Sequence, residues 1–96
     1  YKIMAQAQAQ HILVSTEEVA KSLKENIKDI AQFSEMAKEH SQCRSGAKGG
    51  SLGTFGPGQM VPAFDKVVWS APLGVIQGPV KTNFGYHLII VNNRTQ

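Results

Sequence analysis

The stretch Gly78-Pro79-Val80-Lys81-Thr82-Asn83-Phe84-Gly85-Tyr86-His87-Leu88-Ile89-Ile90-Val91 decides the fold. Residues 78 to 82 read as one strand, Asn83 to Gly85 as a turn, and Tyr86 to Val91 as a second strand, so the segment is a hairpin. Tyr86 to Val91 is apolar at consecutive positions, which suits a strand covered on both faces. His11-Ile12-Leu13-Val14, near the start of the chain, has the same character. These two runs are the expected centre of a sheet.

Ser15-Thr16-Glu17-Glu18 follows the first run with the spacing of a capping box, Ser15 as cap and Val14 with Val19 as a hydrophobic staple. Val19, Leu23, Ile27 and Ile30 then recur at helical spacing, with Lys21, Lys24, Glu25 and Lys28 on the opposite face. Phe33, Met36, Ala37 and His40 continue the pattern, and two helices with a break near Asp29 are expected. Six of the nine glycines fall between Gly46 and Gly58, where regular structure is costly and turns around a short strand, Leu52 to Phe55, are expected. Pro62 suits the first turn of a short helix through Trp69 with Phe64, Val67 and Val68 inward. Ahead of His11, the alternation Ala5 to Gln10 reads as an edge strand or a frayed tail, with residues 1–6 taken as a flexible tail. The elements add up to an α+β domain around an antiparallel sheet.

Ninety-six residues with 42% apolar content make one domain, residues 1–96, with no room for a second core. No apolar run reaches the ~18 residues that cross a bilayer. The lone Cys43 cannot form an internal disulfide and suggests a reducing, cytoplasmic setting. A cytoplasmic monomer without membrane or nucleic-acid partners is the expectation, since the formal charge of +3 is scattered rather than gathered into a stripe. The glycine-rich segment lacks the patterns of phosphate-loop and dinucleotide sites, and the histidines and cysteine lack metal-ligand spacing. No cofactor and no metal are expected.

His11, Cys43, Leu52, Met60, Phe64, Thr82, Phe84 and His87 are the residues that could carry chemistry. By alternation His11 shares a face with Leu13, and His87 one with Ile89 and Val91, so neighbouring strands would let the imidazoles meet. Taken singly, each histidine reads more readily as a core residue bonded to backbone, Cys43 as an inert thiol, and Met60 with Phe64 as ordinary core.

The ensemble changes this balance. His11 to Val14, His40-Ser41-Gln42-Cys43-Arg44-Ser45-Gly46, Gly49-Gly50-Ser51-Leu52-Gly53, Gly58-Gln59-Met60-Val61-Pro62-Ala63-Phe64-Asp65 and Gly78 to His87 stand in the order seen in parvulins. The chain resembles a small, free-standing, bacterial-like member of that family from about Gln8 to Arg94. The resemblance implies a four-stranded antiparallel sheet surrounded by four helices, in the order β-α-α-α-β-α-β-β, and peptidyl-prolyl cis/trans isomerase activity without a covalent intermediate. It also implies that His11 and His87 are the family's paired active-site histidines, with Thr82 bonded into their network and Cys43 where parvulins place cysteine or aspartate. Leu52, Met60 and Phe64 correspond to the proline pocket, with Phe84 on its rim.

Family members selective for phosphorylated segments carry a basic loop after the first strand. Here Ser15-Thr16-Glu17-Glu18 stands instead, and its carboxylates would repel a phosphate. The resemblance therefore implies unphosphorylated proline-containing polypeptides, extended or unfolded and apolar before proline, as substrates, and a role in protein folding. Two other readings stand beside it: a proline-segment binding module or chaperone with little turnover, and a cysteine hydrolase using Cys43 with His11 or His87 as base.

Overall fold

The computed structural model describes residues 5–95. Four strands, β1 (Gln6–Val14), β2 (Ser51–Phe55), β3 (Gln77–Thr82) and β4 (Gly85–Thr95), form one antiparallel sheet in the order β2-β1-β4-β3. Three α-helices, α1 (Glu17–Asn26), α2 (Ile30–His40) and α3 (Pro62–Ser70), and a 3-10 turn at Arg44–Lys48 complete the expected four-helix order. The expected tail falls largely on residues 1–4, which lie outside the described residues. Its inner end is corrected, because Gln6 already pairs with Thr95. The Ala5 to Gln10 alternation is likewise no edge strand: β1 is flanked by β2 and β4.

The doubly apolar character of β1 and β4 follows from a helix layer on each side. Ile12, Val14, Leu88 and Ile90 face α1 and α2, where they meet Ala20, Leu23, Ile27, Phe33 and Ala37. Ala7, Ala9, Ile89 and Val91 face the other way, onto Phe55, Phe64, Val68 and Ala71. Ile12, Leu88, Ile89 and Val91 are fully buried, and each such side chain stabilises the fold by about 1.5–3 kcal/mol relative to exposure.

The first helix starts one residue later than the capping-box reading placed it. Thr16, not Ser15, accepts the Val19 N–H at 3.3 Å, while the Ser15 hydroxyl accepts the Gln42 side-chain amide. The buried stripe is Ala20, Leu23 and Ile27, whereas Val19 and Ile30 are exposed. The break at Asp29 is as expected. Asp29 Oδ1 accepts the Gln32 N–H at 2.8 Å, and Gln32 Oε1 accepts the Lys28 N–H at 2.7 Å, so the second helix begins with its own cap. Pro62 opens α3, and Arg94 Nη1 donates to the carbonyls of Val68 and Ala71 at its far end, where a cation complements the helix dipole.

Two glycines set where the site can form. Gly50 has φ +86°, and a Cβ there would stand 2.3 Å from the His11 carbonyl oxygen. Gly78 has φ +120°, and its Cβ would stand 2.5 Å from the His87 carbonyl oxygen. Each lets a neighbouring segment lie directly against a histidine-bearing strand.

Candidate active site

The β1–β4 register pairs Leu13 with His87 and His11 with Ile89, so the two histidines are diagonal neighbours on the face that carries α3. Their rings stack at 15° with centroids 5.2 Å apart, and His11 Nδ1 lies 3.0 Å from His87 Nδ1. The outer nitrogens are also engaged: His11 Nε2 is 3.0 Å from Ser45 Oγ and His87 Nε2 is 2.7 Å from Thr82 Oγ1. Thr82 Oγ1 in turn accepts the Phe84 N–H at 3.2 Å. The result is one chain of polar atoms, Ser45–His11–His87–Thr82.

Both imidazoles are neutral near pH 7. Burial, and then the nearby His87, lower the pKa of His11 to about 4, and burial lowers that of His87. Two neutral rings facing through like atoms must hold opposite tautomers. In one arrangement His11 Nδ1–H donates to His87, Ser45 donates to His11, and His87 donates to Thr82. In the other every donor reverses. The chain can switch between them without creating net charge.

Cys43 reaches the site through backbone anchoring. Ser41 Oγ accepts the N–H groups of Leu13 at 3.1 Å and Cys43 at 3.3 Å, and the Gln42 N–H donates to the Leu13 carbonyl at 2.7 Å. The thiol is partly exposed. Neither histidine serves it as a base, since all four ring nitrogens are bonded to each other, Ser45 or Thr82. A cysteine hydrolase needs nucleophile and base in hydrogen-bond reach, so this arrangement speaks against that reading.

Above the imidazoles lies a cleft of about 320 Å³ lined by His11, Leu13, Cys43, Leu52, Gln59, Met60, Val61, Phe64, Phe84 and His87. Phe64 forms the buried wall, 3% exposed, and stands edge-on to His11 at 5.6 Å and to His87 at 5.8 Å. Phe84 projects at the mouth, 68% exposed. A larger concavity, about 470 Å³ beside Ile30 and Ile76, has no histidine or cysteine in its lining. Every residue singled out in the sequence is therefore in or against the 320 Å³ cleft, Thr82 through its bond to His87. Ser45, Leu13, Gln59 and Val61 were missed. Leu13 was legible as the residue sharing a face with His11, whereas Ser45 reaches His11 only through the folding of the 3-10 turn, which leaves no periodic trace.

Residues 3–93 match the family model of the PPIC-type peptidyl-prolyl isomerase, or rotamase, domain. The chain is 44% identical over 87 residues to the foldase protein PrsA of Geobacillus kaustophilus, covering 90% of this chain and 31% of that protein. It is 38% identical over 105 residues to the chaperone SurA of Nitrosococcus oceani, covering 99% of this chain and 25% of that one. The chain thus spans between a quarter and a third of these curated relatives. Among solved structures, Pin from the archaeon Cenarcheaum symbiosum superposes with a TM-score of 0.83 at 34% identity, covering 97% of each chain. A chain from the SurA-like chaperones of Campylobacter jejuni, described as a virulence factor and a periplasmic protein, gives 0.91 at 42% identity, covering 97% of this chain and 40% of that one.

These relatives overturn the cytoplasmic expectation, since the Campylobacter pair includes a periplasmic protein. The cysteine argument fails for a physical reason: one thiol cannot form an internal bridge in any compartment, so it reports weakly on redox setting. The exclusion of membranes from the partners falls with it. Among the described residues no helix is long and apolar enough to cross a membrane, but that concerns a segment covering 25–31% of such relatives.

With the expected antiparallel sheet in place and the family model matched over residues 3–93, the chain belongs to the parvulin, or PPIC-type, family, and its domain is a peptidyl-prolyl cis/trans isomerase.

Proposed function

We propose that the domain turns X-Pro bonds in unphosphorylated, extended segments with an apolar residue before proline, and that it thereby assists protein folding. The carrying observation is the lining of the cleft: among the described residues that form it none is Lys or Arg. Its two histidines are neutral near pH 7. A phosphate would lose its water there without gaining a cation, which is unfavourable. The exposed apolar surfaces of Phe84 and Val61 at the same cleft suit an apolar neighbour.

Rotation about a peptide bond faces a barrier of about 18–20 kcal/mol because resonance must be broken. A thousandfold acceleration needs only about 4 kcal/mol of preferential binding to the twisted amide. Leu52, Met60 and Phe64 grip the pyrrolidine ring while the preceding carbonyl swings, in surroundings too dry to favour the more polar planar form. His11, His87 and Thr82 hold the floor of the cleft in a neutral, switchable network, and Cys43 adjusts polarity beside the carbonyl. No bond is cut and none is formed.

NMR exchange spectroscopy on Ala-Ala-Pro-Phe-type peptides and their phosphoserine-proline counterparts tests this. Faster exchange with the unphosphorylated peptides is the expected result. A large gain with phosphoserine before proline overturns the specificity.

A further inference from the structure

We propose that Gln10 is a positioning residue for this site, holding the loop that presents Ser45 to His11; the inference rests on the isomerase reading of the cleft. Gln10 is 8% exposed and, next to His11 on β1, points to the opposite face of the sheet. Its Nε2 donates to the Gly49 carbonyl and to Ser34 Oγ, each at 2.7 Å, and its Oε1 accepts from Asn92 Nδ2 at 3.1 Å. One amide therefore ties β1 to the loop, to α2 and to β4. Asn92 can reach it because β4 is irregular here: Gln8 pairs with Asn93 but Ala9 with Val91, which leaves Asn92 out of the ladder.

The loop between Cys43 and Gly50 is fixed at two ends. Ser41 secures the first by accepting the Leu13 and Cys43 N–H groups. Gln10 secures the second at Gly49, whose φ of +71° brings it against Ser34, 3.0 Å from the side-chain Cβ to where its own Cβ would stand. The backbone then leads from this anchor to the site: His11 N–H donates to the Gly50 carbonyl at 2.9 Å, and Gly50 N–H donates to the Ser45 carbonyl at 2.9 Å. Ser45 Oγ meets His11 Nε2 at 3.0 Å, a contact that weakens steeply as distance and angle drift. Without the Gln10 amide the Gly49 carbonyl loses its side-chain donor, the loop relaxes outward, and Ser45 no longer biases the tautomer of His11. The apolar grip is anchored elsewhere, by β2 and α3, so the effect falls on turnover rather than binding.

The test compares Gln10→Leu with Asn92→Ala, which removes one contact of Gln10 but leaves Gly49 held. Exchange kinetics on an Ala-Pro peptide are read together with the imidazole 15N resonances of His11. Gln10→Leu is expected to lower kcat roughly tenfold with KM nearly unchanged, as small misplacements at a reacting centre do. Its His11 resonances are expected to move toward those of Ser45→Ala, while Asn92→Ala keeps wild-type kcat and resonances. A kcat for Gln10→Leu within about twofold of wild type, or unmoved His11 resonances, overturns the proposal. Where leucine prevents folding, Gln10→Asn, one methylene too short for Gly49, is read by the same two criteria. An inactive wild-type chain would sink the isomerase reading of the cleft; a wild type that exchanges beside an unaffected Gln10→Leu sinks only this inference.

Discussion

His11 and His87 meet nitrogen to nitrogen, Nδ1 to Nδ1 at 3.0 Å, although the strand register sets Leu13 directly opposite His87. A contact between like atoms of two neutral imidazoles holds one proton. Adding another places a donor against a donor and a charge in a buried site, and both work against protonation.

Stability should therefore depend on acid in a defined window. His11 is depressed to about 4 in the folded chain from an ordinary value of 6.5, so between these limits the unfolded chain binds a proton that the folded one refuses. Stability is full above pH 6.5 and falls as pH drops toward 4, by about 3 kcal/mol from His11. His87, lowered in the same direction, adds to the slope. Thermal melts at pH 7 and pH 4.5 should show a larger drop for wild type than for His11→Gln, in which the carboxylates still titrate. Equal drops would remove the basis for the neutral pair.

Met60 and Phe64 share the cleft but differ in what else they do. Phe64 is 3% exposed and packs in the core with Val68 and Ile89, so Phe64→Ala should cost about 3–5 kcal/mol of stability as well as activity. Met60 is half-buried and packs at the margin of that core. Met60→Ala should cost about 1 kcal/mol yet lower kcat/KM roughly tenfold through the lost grip on the ring. Urea denaturation beside exchange kinetics separates the two. A Met60→Ala chain with undiminished kcat/KM would show that the ring is held elsewhere.

Much of this was legible because it is written in local patterns. Apolar runs at His11 to Val14 and Tyr86 to Val91 need cover on both faces, and Asp29 can start a second helix because a short carboxylate caps one. The outer halves of β1 and β4 were not legible. Gln6, Gln8, Asn93 and Thr95 are exposed, so their pairing depends on the partner strand rather than on their own composition. The capping-box spacing favours Ser15 over Thr16 as the cap, and tertiary context overrides it: the Ser15 hydroxyl is taken by Gln42. The roles of Ser45 and Gln10 depend on contacts across 34 and 39 residues, beyond any window in which periodicity operates.

The part played by Cys43 yields the sharpest separation of mechanisms. If the thiol attacked the substrate it would need a base, and both histidines spend their nitrogens on each other, Ser45 and Thr82. If it tunes polarity beside the carbonyl, a carboxylate of similar reach should serve. Cys43→Asp is therefore expected to keep kcat/KM within about threefold of wild type, a difference of less than 1 kcal/mol in transition-state binding. The substitution should leave a second mark: a negative charge in the same cleft favours an imidazolium, so the pKa of His11 should rise from about 4 toward its ordinary value. The acid limb of the activity profile should then move to higher pH. Near-total loss of exchange activity in a folded Cys43→Asp chain would restore the thiol as an essential group and count against the electrostatic account.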